Sequence, residues 1–174
     1  MPEKKAILLD CDPGHDDAVA ILMALKSEKI DLRAITVVAG NQTLEKNVNN
    51  TLHVCQHMGL NVAVYAGCDR PLLKEPFHAG FVHGESGLDG VEFEPLEKTV
   101  RNRHAVSFIT DYLNAALEPV TVVATGPLTN IALGSARTFS ISFCSSVASS
   151  RSSLFSFTTD IGSINNVEPV EDWS

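Results

Sequence analysis

Four aspartates, Asp10, Asp12, Asp16 and Asp17, fall within eight positions, between the apolar run AILL at 6–9 and the apolar-rich stretch from Val19 to Leu25. A chain folding around this segment must pass from a buried strand to a buried helix through a cluster of like charges. Carboxylates packed this closely repel one another unless something positive sits among them. Carboxylate and backbone carbonyl oxygens are the ligands hard cations prefer, so the segment points to Ca²⁺ or Mg²⁺. No Cys/His cluster supports zinc.

The rest of the chain continues the same alternation. AILL (6–9) reads as a strand buried on both faces, and Pro13-Gly14 marks a turn. Asp16 to about Lys26 reads as a helix whose acidic start suits the positive end of the helix dipole. A strand is expected over 31–40, a polar helix from about Thr43 to Met58 with Gly59 as its stop, and a strand over 61–67. Residues 68–103 read as a long irregular segment. A helix over 104–117 with His104 at its start, a strand over 120–126 and a helix beginning at 128 follow. Met23, Met58 and the phenylalanines are assigned to the core. Strands alternating with helices imply an open, mostly parallel α/β sheet, Rossmann-like, with helices on both faces. Ligands of such sheets bind beyond the carboxyl ends of the strands, near a topological switch point. The segments Asp10–Asp17, Gly40-Asn41 and Thr125-Gly126 all follow strand ends, so they are expected to share one crevice.

Bulk properties narrow the classes. A formal net charge of −8 over 174 residues argues against nucleic acid or an anionic membrane as partner. Cys11, Cys55, Cys68 and Cys144 are far apart with no CxxC pair, which reads as free thiols in a reducing compartment. The N-terminal apolar run is too short for a signal peptide, and nothing later approaches the length of a membrane span. A cytoplasmic protein is the expectation.

Three readings of the acidic turn compete. An EF-hand-like loop starting at Asp10 would need a Glu where the chain has Ile21, so that reading fails. A phosphatase of the haloacid-dehalogenase type would use Asp10-Cys11-Asp12, yet it leaves the Asp16-Asp17 doublet without a role and meets Gly14 where Thr or Val is usual. The third reading uses every element. DCDPGHDDAVAI at 10–21 resembles the opening signature of the nucleoside hydrolases, the inosine–uridine-preferring N-ribohydrolases. VAGNQTLEK (38–46), VYAGCDRPL (64–72), HGESGLDG (83–90), HAV (104–106) and TGPLTNIAL (125–133) follow in the order and spacing of that family.

The resemblance covers residues 4–133, and its implications attach to matched positions. Asp12 resembles the general base that takes a proton from a Ca²⁺-bound water. Asp12, Asp17 and the backbone carbonyl of Thr125 resemble the metal ligands, the side chain of Thr125 being uninformative. Asp16 and Asn41 resemble the groups that hold the ribose hydroxyls, and His83 lies in a block that resembles a substrate-side loop. Asp10 looks like a carboxylate supporting the ligands from behind. The implied activity is Ca²⁺-dependent hydrolysis of the N-glycosidic bond of a ribonucleoside, in salvage or catabolism. A small-molecule ribonucleoside is the implied partner, with no nucleic acid and no membrane, and the family implies a homo-oligomer, dimer or tetramer. His15 could face the pocket mouth or solvent.

The pattern changes after Gly134. The last 40 residues hold 12 serines and show no sustained period, so 134–174 is expected to be a serine-rich, poorly ordered tail unrelated to the domain at 1–133. Members of the family are about twice this length, and the features of their second half, including a late Asp that completes the calcium shell, find no match here. The fold is thus expected to be a truncated nucleoside hydrolase fold. One oxygen from Asp12, two from a bidentate Asp17, the Thr125 carbonyl, two ribose hydroxyls and a water give about seven oxygens, within the range calcium accepts. A catalytically inactive fragment that binds calcium, ribose or a full-length homologue is the competing expectation.

Overall fold

A computed structural model describes residues 4–136, 140–145 and 155–160, with side-chain detail through residue 136. Its elements are β1 (Lys5–Cys11), α1 (His15–Lys26), β2 (Ile30–Val37), α2 (Leu44–His57), β3 (Val64–Ala66), α3 (Gly80–His83), α4 (Ala105–Ala115), β4 (Thr121–Ala124), α5 (Thr129–Ser135), β5 (Ser140–Ser145) and β6 (Phe155–Asp160). One sheet takes the order β3-β2-β1-β4-β5-β6. Pairings from β3 to β5 are parallel, and β6 runs antiparallel to β5. Successive strands step outward on one side of β1 and then on the other, so the direction of winding reverses between β1 and β4. That is the switch point at which such sheets bind ligands.

Alternation along the strands builds two cores. Leu9, Cys11, Ile35, Val37 and Val64 meet Ile21 of α1 and Val48, Leu52 and Cys55 of α2 on one face. Leu8, Ala34, Val122 and Ala124 meet Ile109 of α4 and Ile131 of α5 on the other. A strand covered on both faces needs apolar residues at consecutive positions, which is why β1 reads as a continuous run. Among the described residues no helix is long and apolar enough to cross a membrane.

Several sequence expectations need correction. Met23 is 68% exposed and Phe77 and Phe81 are also exposed, so these do not belong to the core. Helix α1 is apolar around most of its circumference, but only one stripe can face the sheet. Asp17, Ile21 and Ala24 occupy that stripe, and Val19 and Met23 face solvent. Replacing Ile21 by Ala should cost about 2–5 kcal/mol, and replacing Met23 by Ala should change stability by no more than about 0.5 kcal/mol. Urea melts of the two variants check this contrast.

Helix α2 is polar in sequence, yet Asn47, Asn50 and Thr51 are buried. They turn inward because the strand-end loops leave carbonyls that need donors. Asn47 Nδ2 donates to Val38 O at 3.0 Å and Gln42 O at 3.2 Å. The segment read as lacking a strand period contains β5 and β6. SISFCS and FSFTTD each begin with strict polar–apolar alternation, a signal too short to stand out among the serines. The expected lack of order over the remainder of 134–174 falls mostly outside the described residues.

At the outer edge of the sheet, the three-residue β3 is paired by an isolated parallel bridge between Tyr65 and Arg101. The Arg101 N–H donates to Val64 O at 2.9 Å. The Tyr65 ring stacks on Phe108 of α4 with centroids 3.9 Å apart.

Candidate functional site

The carboxyl ends of β1, β2 and β4 bring Asp10, Asp12, Asp17, Asn41 and Thr125 into one crevice, as the strand-end argument expects. Asp12 stands just beyond β1. Its Oδ2 accepts the Asn41 N–H at 2.7 Å, and its own N–H donates to Asp17 Oδ2 at 3.0 Å. The Thr125 N–H donates to Asp10 O at 2.9 Å, joining the ends of β4 and β1. Gly40 is required where it stands, because a Cβ there would collide with Asp12 Oδ2 and lie 2.8 Å from the Pro127 ring.

The electrostatics follow from burial. Asp10 is completely buried, and its carboxyl is pushed up to about 7, mainly by loss of solvent, against hydrogen bonds from Thr36 and Asn130 that favour the charged form. Asp12 is likewise pushed up to about 7, first by burial and then by the charges of Asp17 and Asp16, with the Asn41 N–H opposing. Burial also raises Asp17, against hydrogen bonds from the Thr125 hydroxyl and the Asp12 N–H. The described ion pairs, Arg33–Asp31, Arg70–Asp69 and Arg103–Asp111, all lie elsewhere. Among the described residues, these acids therefore sit together without an ion-pairing cationic side chain.

The donor set fits a hard divalent cation as part of a shell. Its side chains, Asp12 and Asp17, offer oxygen alone, the ligand type such a cation prefers. Asp10 Oδ2 is buried without a partner immediately behind it. Among the described residues no group of three or more His, Cys, Asp or Glu side chains forms a ready-made cage. Substrate and solvent oxygens would have to complete the coordination.

The remaining expected residues take different places. Asp16 is exposed on the first turn of α1, near enough for its charge to act on Asp12 and Asp17. Asn41 Nδ2 donates to the Asp12 carbonyl at 3.0 Å, so its amide nitrogen is committed to shaping the turn. His83, at the end of α3, packs on Gly14 and stacks against His15 with centroids 5.8 Å apart. His15 Nε2 lies 3.0 Å from Asp89 O, which ties it to the loop that follows His83. The His104 side chain caps α4 by accepting the Val106 N–H at 3.2 Å.

Sequence reasoning missed the neutral residues that hold this arrangement. The Thr36 hydroxyl donates to Asp10 Oδ1 at 2.5 Å. Asn130 Nδ2 reaches the same oxygen at 2.9 Å. Gln42 Nε2 donates to Gly84 O at 2.9 Å, and Asn50 Nδ2 to Pro13 O at 3.2 Å and Ser86 O at 3.0 Å, so the 83–90 loop is strapped against the acidic turn. His78 Nδ1 lies 3.1 Å from Gly40 O. The Thr125 side chain, expected to be uninformative, holds Asp17 through its hydroxyl. A hydroxyl inside an apolar strand, as at Thr36, was the one available hint.

Fold and site together define an α/β protein with an acidic, oxygen-donor crevice at the switch point of a doubly wound sheet. The family model described as inosine-uridine preferring nucleoside hydrolase matches residues 7–143, and the chain belongs to that family. It is similar to the pyrimidine-specific ribonucleoside hydrolase RihB of Escherichia coli O1:K1, with 54% identity over 131 residues covering 75% of this chain and 42% of that protein. Among solved structures, the purine-preferring ribonucleoside hydrolase from Gardnerella vaginalis superposes with a TM-score of 0.70 at 35% identity, covering 75% of this chain and 43% of that one. The plant nucleoside hydrolase PpNRh1 gives 0.69 at 34% identity, with coverage of 75% and 42%. The chain thus spans about two-fifths of the length of the relatives it matches.

Proposed function

We propose that this chain carries the cation- and ribose-binding part of a ribonucleoside hydrolase site, which cleaves the N-glycosidic bond to release free base and ribose. The observation that carries the reading is the convergence of Asp12, Asp17, Asn41 and Thr125 at the carboxyl ends of β1, β2 and β4. The Asp12 carboxylate, positioned just beyond β1, suits a base that takes a proton from water. The Asn41 N–H fixes its direction. Glycosidic cleavage develops positive charge on the sugar, and carboxylates beside a bound ribose would stabilise it. A bound Ca²⁺, held by Asp12, Asp17 and the Thr125 carbonyl, would supply acidification of water and orientation of the ribose hydroxyls.

Similarity to RihB favours a pyrimidine ribonucleoside as substrate. The free thiols Cys11, Cys55 and Cys68 fit a reducing, cytoplasmic setting. A second reading, binding of cation and ribose without turnover, is favoured by the small number of protein oxygens at the site. Release of base from uridine, cytidine and inosine, followed by chromatography in Ca²⁺ and in EDTA, tests both. Ca²⁺-dependent release of base is the expected result. Calorimetric binding of Ca²⁺ and ribose without release would favour the second reading, and release undiminished by EDTA would overturn the role given to the cation.

A further inference from the structure

One buried amide joins the ends of three strands. Asn130, on the first turn of α5, is completely buried. Its Nδ2 donates to Asp10 Oδ1 at 2.9 Å and to Val37 O at 3.1 Å, and its Oδ1 accepts the Cys68 N–H at 2.8 Å. Those partners belong to the ends of β1 and β2 and to the residues just past β3, while α5 itself follows β4. A carbonyl can only accept and a backbone N–H can only donate, so the amide has one satisfactory orientation. Gly67 completes the arrangement, because a Cβ at that position would collide with the Asn130 amide.

Two relays of hydrogen bonds lead from this amide to the carboxylates of the crevice. One runs through Asp10, whose carbonyl accepts the Thr125 N–H at 2.9 Å, and Thr125 in turn holds Asp17 through its hydroxyl. The other runs through Cys68, whose carbonyl accepts the Ala39 N–H at 2.9 Å. Ala39 leads through Gly40 to Asn41, whose N–H holds Asp12 Oδ2 at 2.7 Å. We propose that Asn130 is a positioning residue for this site: through its hydrogen bonds to Asp10, Val37 and Cys68, it fixes the relative placement of Asp12 and Asp17 by way of the two relays. The inference rests on the reading of Asp12 and Asp17 as cation ligands. Asn130 is an outer partner in the sense that it orients the groups that orient the ligands.

The test compares Asn130→Ala with Ile131→Ala, a substitution on the same helix that faces the apolar core, in the 174-residue chain. Calorimetric titration with Ca²⁺ alone, thermal melting and amide hydrogen exchange are the readouts. Asn130→Ala is expected to weaken Ca²⁺ binding about tenfold, the low end of what loss of an outer partner costs. It should also speed exchange of the Thr125 and Asn41 N–H groups. Ile131→Ala should lower the melting temperature without altering the Ca²⁺ dissociation constant. An Asn130→Ala chain that melts earlier but binds Ca²⁺ as before, with both amides still protected, overturns the proposal. If the unsubstituted chain binds no Ca²⁺, the cation reading fails, and the exchange measurement still decides whether the relays exist. Should Asn130→Ala fail to fold, Thr36→Val removes the other donor to Asp10 and loads only the first relay. It should speed exchange at Thr125 and spare Asn41, and equal effects at both amides would overturn the two-relay scheme.

Discussion

Replacing Asp12 by Asn should weaken Ca²⁺ binding by about 100-fold or more, beyond the 10- to 100-fold that loss of an outer-shell partner costs. It should lower any release of base by about 10²- to 10⁴-fold, the range for removing a positioned proton acceptor. The substitution keeps the size of the side chain and an oxygen that can accept the Asn41 N–H. It removes one negative charge from a group of four, and with it the capacity to take a proton. Calorimetry with Ca²⁺ and chromatographic assay of the same preparations measure both effects. Unchanged Ca²⁺ affinity in this variant would remove Asp12 from the ligand set.

The second large effect concerns stability without a cation. Asp10 and Asp12 have ordinary values of 3.8 and are pushed up to about 7 in the fold. The folded state therefore holds these protons more tightly than the unfolded chain. Their stabilising contribution is fully present below 3.8 and is lost as pH rises through about 7. A displacement of that size is worth on the order of 4 kcal/mol for one such group. Exposed Asp89 acts in the opposite sense: its carboxylate accepts hydrogen bonds from Ser86 and Glu85, which hold it below the ordinary value, so its contribution fades as pH falls through that lowered value. The chain in EDTA should thus melt earlier at pH 8 than at pH 5, and Ca²⁺ should recover most of the difference. Asp12→Asn should flatten part of the pH dependence in EDTA and blunt the recovery. Parallel melting curves with and without Ca²⁺ at pH 8 would show that no cation offsets these buried charges.

Both expectations rest on residues that the sequence displays openly. Asp10, Asp12 and Asp17 stand out because like charges seldom crowd between apolar runs, and the strand-end rule placed Asn41 and Thr125 beside them. The parallel sheet was legible for a related reason: β1, covered on both faces, carries consecutive apolar residues, and strands alternate with helices along the chain. What escaped notice was neutral. Asn130, Thr36, Asn47 and Asn50 contribute through donors aimed at particular carbonyls and carboxylates, and a single amide or hydroxyl in a sequence does not reveal which way it points. The exposed Met23 and Phe81 escaped for the opposite reason, since an apolar side chain alone does not say which face of a helix reaches the sheet. The two strands after Gly134 were missed because their alternation lasts only a few positions within a serine-rich composition.

Arg101 gives the outer edge of the sheet a further property. A sheet that ends in a strand with free N–H and carbonyl groups invites another chain to continue the ladder, and that route leads to aggregates. Here the edge strand is only three residues long, its Val64 carbonyl is already taken by the Arg101 N–H, and a guanidinium-bearing residue sits at the place where a new strand would begin. On that side of the molecule, hydrogen-bonded strand addition is blocked by the backbone and discouraged by charge.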